Sequence, residues 1–201
     1  MINNFRGLSI NNGTLNTNGN SISCGKFYVQ NTATANMSSS NVYVKYRCEI
    51  TSSNYNTENS SIYTIGGLFN EIKNTSNIRL LVIESSTAFT VWGVGGSFGR
   101  INVKGGEPKL WAITADSVIF SAGSGVIIKN TVTINDYLEM SGTCNQVFNI
   151  TGESSGTITS ATGNISVNYI NISNVAVTGG AIFIANNSYD LGGNSGWTIN
   201  S

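Results

Sequence analysis

The feature that most narrows the possible folds is the rhythm of residues 98–201. Short alternating apolar runs there are cut repeatedly by Gly, Asn, Asp or Ser. "FGRINVK", "KLWAIT", "DSVIF", "GVIIKNTVTIND", "QVFNITG", "GTITSA", "NISVNYINISNVAVTGG" and "AIFIAN" follow one another. Alternation of this kind belongs to strands, whose successive side chains point to opposite faces, and not to helices. The apolar pairs Val118/Phe120, Val132/Ile134 and Ile165/Val167 recur at an approximate period only. One narrow apolar pair per pass, with tight turns between passes, suits a right-handed parallel β-solenoid, in which each coil buries its face against its neighbours. An antiparallel sandwich with regular turn signals is the competing architecture.

The first half is also strand material. "SISCGKFYV", "NVYVKYRCEI", "SIYTIGGLF" and "NIRLLVIES" are rich in the β-branched and aromatic residues that strands favour, and "NTATANMSSSN" and "TSSNYNTENSS" between them are loop-forming. In the second run the alternation places Val42, Val44, Tyr46 and Cys48 on one face, with Tyr43, Lys45, Arg47 and Glu49 on the other. The expectation is an all-β chain in two parts. Residues 1–97 form a β-rich module that is either sandwich-like or the first coils, and residues 98–201 form the solenoid.

Composition decides which functions to discard. Only 10% of the 201 residues are charged, against roughly 25% in ordinary soluble domains. Asn, Ser, Thr and Gly keep the surface polar in their place, and the net charge is zero. Nucleic acid and anionic membrane both require clustered Lys and Arg, so neither is an expected partner. No apolar run approaches the roughly 20 residues of a membrane-spanning helix. There is no histidine, which removes Ser-His-Asp and Cys-His catalysis and most zinc sites. Cys24, Cys48 and Cys144 are too far apart for a metal motif and odd in number, so they read as free thiols. "GVGGSFGR" lacks the spacing and ending of a phosphate-binding loop. No metal site, cofactor or catalytic residue is expected.

Two groups of residues remain. In this Asn-rich chain Tyr43, Tyr55 and Trp92 are the aromatics expected to be exposed, and exposed aromatic rings beside amides are what a glycan surface uses; they are the glycan-contact candidates. Trp111 and Trp197 are expected in the core. The second group is "GGAIFIANNSYDLGGNSGWTIN", residues 179–200. A solenoid's last coil would expose unpaired backbone groups and the mouth of its core unless something covers them. Here Ile182 and Ile184 share a face opposite Phe183, the glycines turn the chain back, and Trp197 and Ile199 arrive ready to lie over the core. Asp190 fits an Asx-type turn. The segment reads as a terminal cap.

The same stretch, from Tyr169 and Ile170 through Gly179, Gly180, Ala181, Phe183, Ala185, Ser188, Asp190, Gly192, Asn194, Gly196 and Trp197, resembles a C-terminal segment of β-helical surface proteins of bacteria and their phages. The resemblance covers roughly the last quarter of the chain, from about Cys144. It implies a fibre, spike, decoration or adhesin. "MINNFRGLSINNG" has no basic flank and apolar segment of a secretory signal, which favours a phage virion component made in the host cytoplasm over an exported adhesin. The expected function is non-enzymatic and structural or adhesive: a head fibre, decoration, tail fibre or spike. Its expected partners are other virion proteins, a host-surface glycan and copies of itself, as a homotrimer. The alternatives are a polysaccharide depolymerase, which needs two carboxylates across a sugar, and a secreted β-helical adhesin.

Overall fold

The computed structural model describes residues 7–52, 54–65, 70–74, 76–84, 89–93 and 95–201. These form strands and turns with no helix, wound into a parallel β-solenoid of about 9 turns. The first ten strands are β1 (Gly7–Ile10), β2 (Thr14–Asn16), β3 (Ile22–Val29), β4 (Thr34–Asn36), β5 (Asn41–Ile50), β6 (Tyr55–Asn56), β7 (Ser60–Ile65), β8 (Asn70–Asn74), β9 (Ile78–Glu84) and β10 (Phe89–Gly93). The rest are β11 (Phe98–Val103), β12 (Lys109–Trp111), β13 (Thr114–Phe120), β14 (Gly125–Glu139), β15 (Phe148–Ser160), β16 (Asn164–Asn168), β17 (Ile170–Gly179), β18 (Ile182–Asn186), β19 (Tyr189–Asp190) and β20 (Trp197–Asn200). One 14-stranded sheet and two 3-stranded sheets, β2-β4-β6 and β16-β18-β20, account for all of them.

Every named pairing between strands is parallel, in the first half as in the second. A sandwich-like arrangement therefore does not fit the described residues between Gly7 and Ser97; they are the first coils. The ladder also runs across residue 97, because β9 pairs with β11 from Ile78↔Phe98 to Ile83↔Val103.

The reason for this winding is visible in the columns that stacking creates. Ile22, Val42, Ile62, Leu81, Ile101, Val118 and Leu138 are successive register partners. Around a corner of the coil, Val29, Ile50, Ile72, Val91, Leu110 and Ile128 make a second column. Leu15, Ala35 and Tyr55 begin a third. Each coil returns an apolar side chain to the same place, so a single continuous core runs along the axis. Burying a residue such as Ile62 contributes about 1.5–3 kcal/mol.

The corner explains one departure from simple alternation. β5 pairs with β7 through Asn41–Val44 and with β8 through Glu49 and Ile50, so the chain bends between the two segments. A register shift between Cys24 and Lys26 leaves one more residue in β5 than in β3. Tyr46 falls at this bulge and is 36% exposed, while Val42, Val44 and Cys48 are buried as their alternation predicts.

Polar ladders finish the turns. Asn16, Asn36 and Asn56 are in register, and each side-chain oxygen accepts the backbone N–H two residues on, from Asn18, Ser38 and Glu58. These are Asx turns stacked one per coil. Asn18, Ser39 and Asn59 follow at φ of 51°, 58° and 58°, the left-handed region that sharp turns require.

Candidate functional site

The candidate aromatics prove to occupy three different settings. Tyr43, on the outer face of β5, is 39% exposed and stacks on Tyr63 of β7 with ring centroids 4.6 Å apart and planes 12° from parallel. On the other side its register neighbour is Ser23 of β3, which is exposed and too short to cover a phenol ring. Tyr43 therefore offers one flat face to solvent.

Trp92 lies on the outer face of β10, half-buried, and stacks on Trp111 of β12 at 4.4 Å and 8°. The Lys129 ammonium sits 4.1 Å from the centre of the Trp111 ring, on the next register partner of that column. Trp111 was expected in the core, paired with Ile113. It is on the outside instead, because Ala112 adopts φ 48° and breaks the alternation between the two. Leu110 and Ile113 are the buried residues there. Both faces of Trp111 are taken, one by Trp92 and the other by the ammonium, so it presents ring edges to a ligand.

Tyr55 is not exposed. It is 7% accessible and belongs to the core, stacked in register with Ala35 on the inner face of the β2-β4-β6 sheet. The small Ala35 beside it leaves the room its ring fills. Of the three candidates, only Tyr43 combines exposure with an open ring face.

Several carboxylates are occupied elsewhere. Glu153 bonds both Lys109 and Lys129, and these ammoniums, Lys109 first, hold its carboxyl below the usual range. Glu49 pairs with Arg47 at 3.0 Å, and Glu84 with Lys104. Asp116 accepts from Asn135 at 2.9 Å, and Glu139 from the Tyr137 hydroxyl at 3.0 Å. Each of these partners is a cation, an amide or a hydroxyl. Among the described residues no three His, Cys, Asp or Glu side chains cluster as a metal site would need.

The closing segment is built largely from its turn residues. Asp190 accepts the Gly192 N–H at 2.8 Å and the Asn194 side-chain amide at 2.5 Å, which is the Asx turn expected of it. Asn194 then substitutes for a strand: its Nδ2 donates to Ile172 O at 2.8 Å, and its Oδ1 accepts from Val175 N at 2.9 Å. It thus satisfies β17 where that strand bends at Asn174 (φ 55°). A Cβ on Gly193 would come within 2.2 Å of Asn174 Oδ1, and Gly193 has φ 73°, so a side chain there would be strained and would displace the Asn174 amide. Buried Ser188 accepts Ile170 N at 3.1 Å and donates to Asn186 O at 2.7 Å.

Trp197 and Ile199 face the core as expected, both half-buried. Trp197 packs edge-on against Phe183 at 5.4 Å, and its indole N–H donates to Val175 O at 3.2 Å. The faces of β18 are the reverse of those expected. Phe183 and Ala185 point inward, while Ile182 is 56% exposed and Ile184 half-buried on the outer side. Register decides this. Phe183 lies between Ile165 and Trp197, and Ala185 between Val167 and Ile199, so these are the inner columns.

Sequence reasoning missed Tyr63 and the Trp92–Trp111 stack. Tyr43 and Tyr63 are register partners, and so are Trp92 and Trp111. The spacing of each pair is one coil, the signal that would have found them. Comparison of the chain with protein-family models, curated proteins and solved structures gives no match.

Proposed function

We propose that this chain is a non-enzymatic structural and adhesive component of a phage virion, a fibre, spike or decoration that projects a stiff β-body toward the host surface. The observation that carries the reading is the outer surface of an uninterrupted parallel ladder. It has few charges, is stapled by Asn turns, and displays an aromatic ring at Tyr43 with one face open to a sugar. The resemblance of residues 179–200 to the closing segment of β-helical surface proteins supports the same setting. A rod of stacked coils resists bending because every coil is bonded to both neighbours along several strands.

The partners in this reading are a host-surface glycan, neighbouring virion proteins and two further copies of the chain. Subunits of such a rod bury exposed strand faces against one another, and Ile182, Tyr189 and Leu191, each more than half exposed, lie in the last coils. The depolymerase alternative draws no support from Glu49, Asp116, Glu139 or Glu153, whose bonds go to cations, amides and hydroxyls.

The test is adsorption of the purified chain to host cells and to their extracted surface polysaccharide, with Tyr43→Ala as the comparison. Loss of one stacking platform is worth about 1–2 kcal/mol, or roughly ten-fold in affinity. Equal binding by both proteins removes Tyr43 from the contact, and release of reducing ends from the polysaccharide would make the chain an enzyme.

A further inference from the structure

Tyr43 shares its outer face with an unusual pair of cations. β5, β7, β9, β11 and β13 are successive neighbours in the large sheet. Beyond the Tyr43–Tyr63 stack, Arg79 stands on β9 and Arg100 on β11, lining with Leu80, Gly99 and Ser117 a hollow of about 270 Å³. Like charges on adjacent strands repel. Four other cations meet acids: Arg47 meets Glu49, Lys104 meets Glu84, and Lys109 and Lys129 meet Glu153. Among the described residues neither Arg79 nor Arg100 has a carboxylate within ion-pair range.

The local backbone builds the hollow. The β7–β9 register shifts between Ser60 and Ser61, so Arg79 is an extra residue of β9, and its guanidinium donates to Ser61 Oγ. That bond fixes the side chain and uses one of its five donors. Opposite Arg79 the register places Gly99, where a Cβ would lie 2.7 Å from Arg79 O. The missing side chain lets β11 approach the Arg79 backbone closely there. Ser117, the register partner of Arg100, adds a hydroxyl at the far wall. Asp116, the adjacent acid, is turned to Asn135 on β14 and does not line the hollow.

We propose that this face binds an acidic oligosaccharide. Arg79 and Arg100 clamp a sugar carboxylate in the hollow, and a second sugar of the same chain stacks on Tyr43. A guanidinium pair suits a carboxylate because its N–H groups form parallel, charge-assisted bonds. Tyr43 and Arg100 are three strand spacings apart, about 14 Å, and two residues apart in register, about 7 Å along the strand. The separation is about 16 Å in all, a span that a short oligosaccharide covers obliquely across the strands. The Tyr43 half of the proposal rests on the glycan-contact reading above, and the arginine half stands on its own geometry.

Two titrations separate the halves. Glucuronate added at low salt to the labelled protein is expected to shift the Arg79 and Arg100 side-chain N–H resonances to saturation, with glucose shifting neither. Tetragalacturonate is expected to bind at least ten-fold more tightly than its methyl ester, an advantage that vanishes in Arg79→Gln/Arg100→Gln. The residual ester binding should survive in that variant and disappear in Tyr43→Ala. Melting curves that match the wild type show that the variants fold. If acid and ester bind alike, and both depend on Tyr43, the clamp is overturned and the stacking platform stands. If glucuronate moves the arginines but Tyr43→Ala binds tetragalacturonate normally, the platform fails and the clamp stands. Arginines that ignore glucuronate, or that respond to an oligoglutamate peptide and not to tetragalacturonate, overturn the acidic-sugar site.

Discussion

Phe98→Ala tests the stacked core at its middle. Phe98 is fully buried between Ile78 on the coil before and Ala115 on the coil after, with Ile134 one coil further. The large ring faces the small Ala115, so removing it leaves a void that its neighbour cannot fill. Backbone bonds hold the strands on either side at a fixed spacing, which limits collapse. The full cost of a buried Phe→Ala change therefore applies, about 3–5 kcal/mol. At roughly 2–4 °C per kcal/mol for a chain of this size, the Tm should fall by roughly 6–20 °C. Thr159→Ala, on the outer side of β15, is the control and should stay within about 0.5 kcal/mol of wild type. Calorimetry of the three proteins decides it. A Phe98→Ala melt within the error of the control would mean that Phe98 does not sit in a stacked core, and the column assignment would be wrong.

Trp197→Ala removes the edge contact with Phe183 and the bond to Val175 O, and should cost about 2 kcal/mol; hydrogen exchange should quicken in β18 and β20 and leave β9 and β11 unchanged. The three thiols should react with a disulfide reagent in a fixed order. Exposed Cys144 reacts first and half-buried Cys24 slowly, while Cys48, whose thiol burial pushes far above its ordinary range, reacts only on unfolding. Glu153 has a lowered carboxyl pKa in the folded chain, so its pairing stabilises above the unfolded carboxylate range, near pH 4.3, and is lost as pH falls through the lower folded value. Melts of Glu153→Gln against wild type should differ slightly at pH 7 and converge only once the pH has fallen below the lowered folded value.

The strands of this protein were legible because alternation is local: Val42, Val44 and Cys48 declare an inner face without reference to any other part of the chain. What failed was long-range. The coil-to-coil repeat Ile22, Val42, Ile62, and with it Asn16, Asn36, Asn56, runs through the first half, where longer alternating runs suggested a separate module. Alternation reports which residues share a face and is blind to which strand lies beside which. The same blindness inverted β18, where Ile182 and Ile184 were correctly grouped but the register with Ile165 and Trp197 gave the interior to Phe183. Trp111 went astray for a local reason, the left-handed Ala112, because an alanine at positive φ, unlike Asn18 or Asn59, has no sequence mark. Tyr55 was misplaced by the Asn and Ser around it, which belong to the turn and not to the strand. In the closing segment the turn residues were informative because each has a single conformational use, as Asp190 and Gly193 show.

The most direct test of the central claim is quantitative mass spectrometry of purified phage particles from a host producing this chain. The account predicts that the chain copurifies with the particles in a fixed number of copies per capsid, in a multiple of three. Its absence from particles, with the chain recovered free in the lysate, would contradict a virion role.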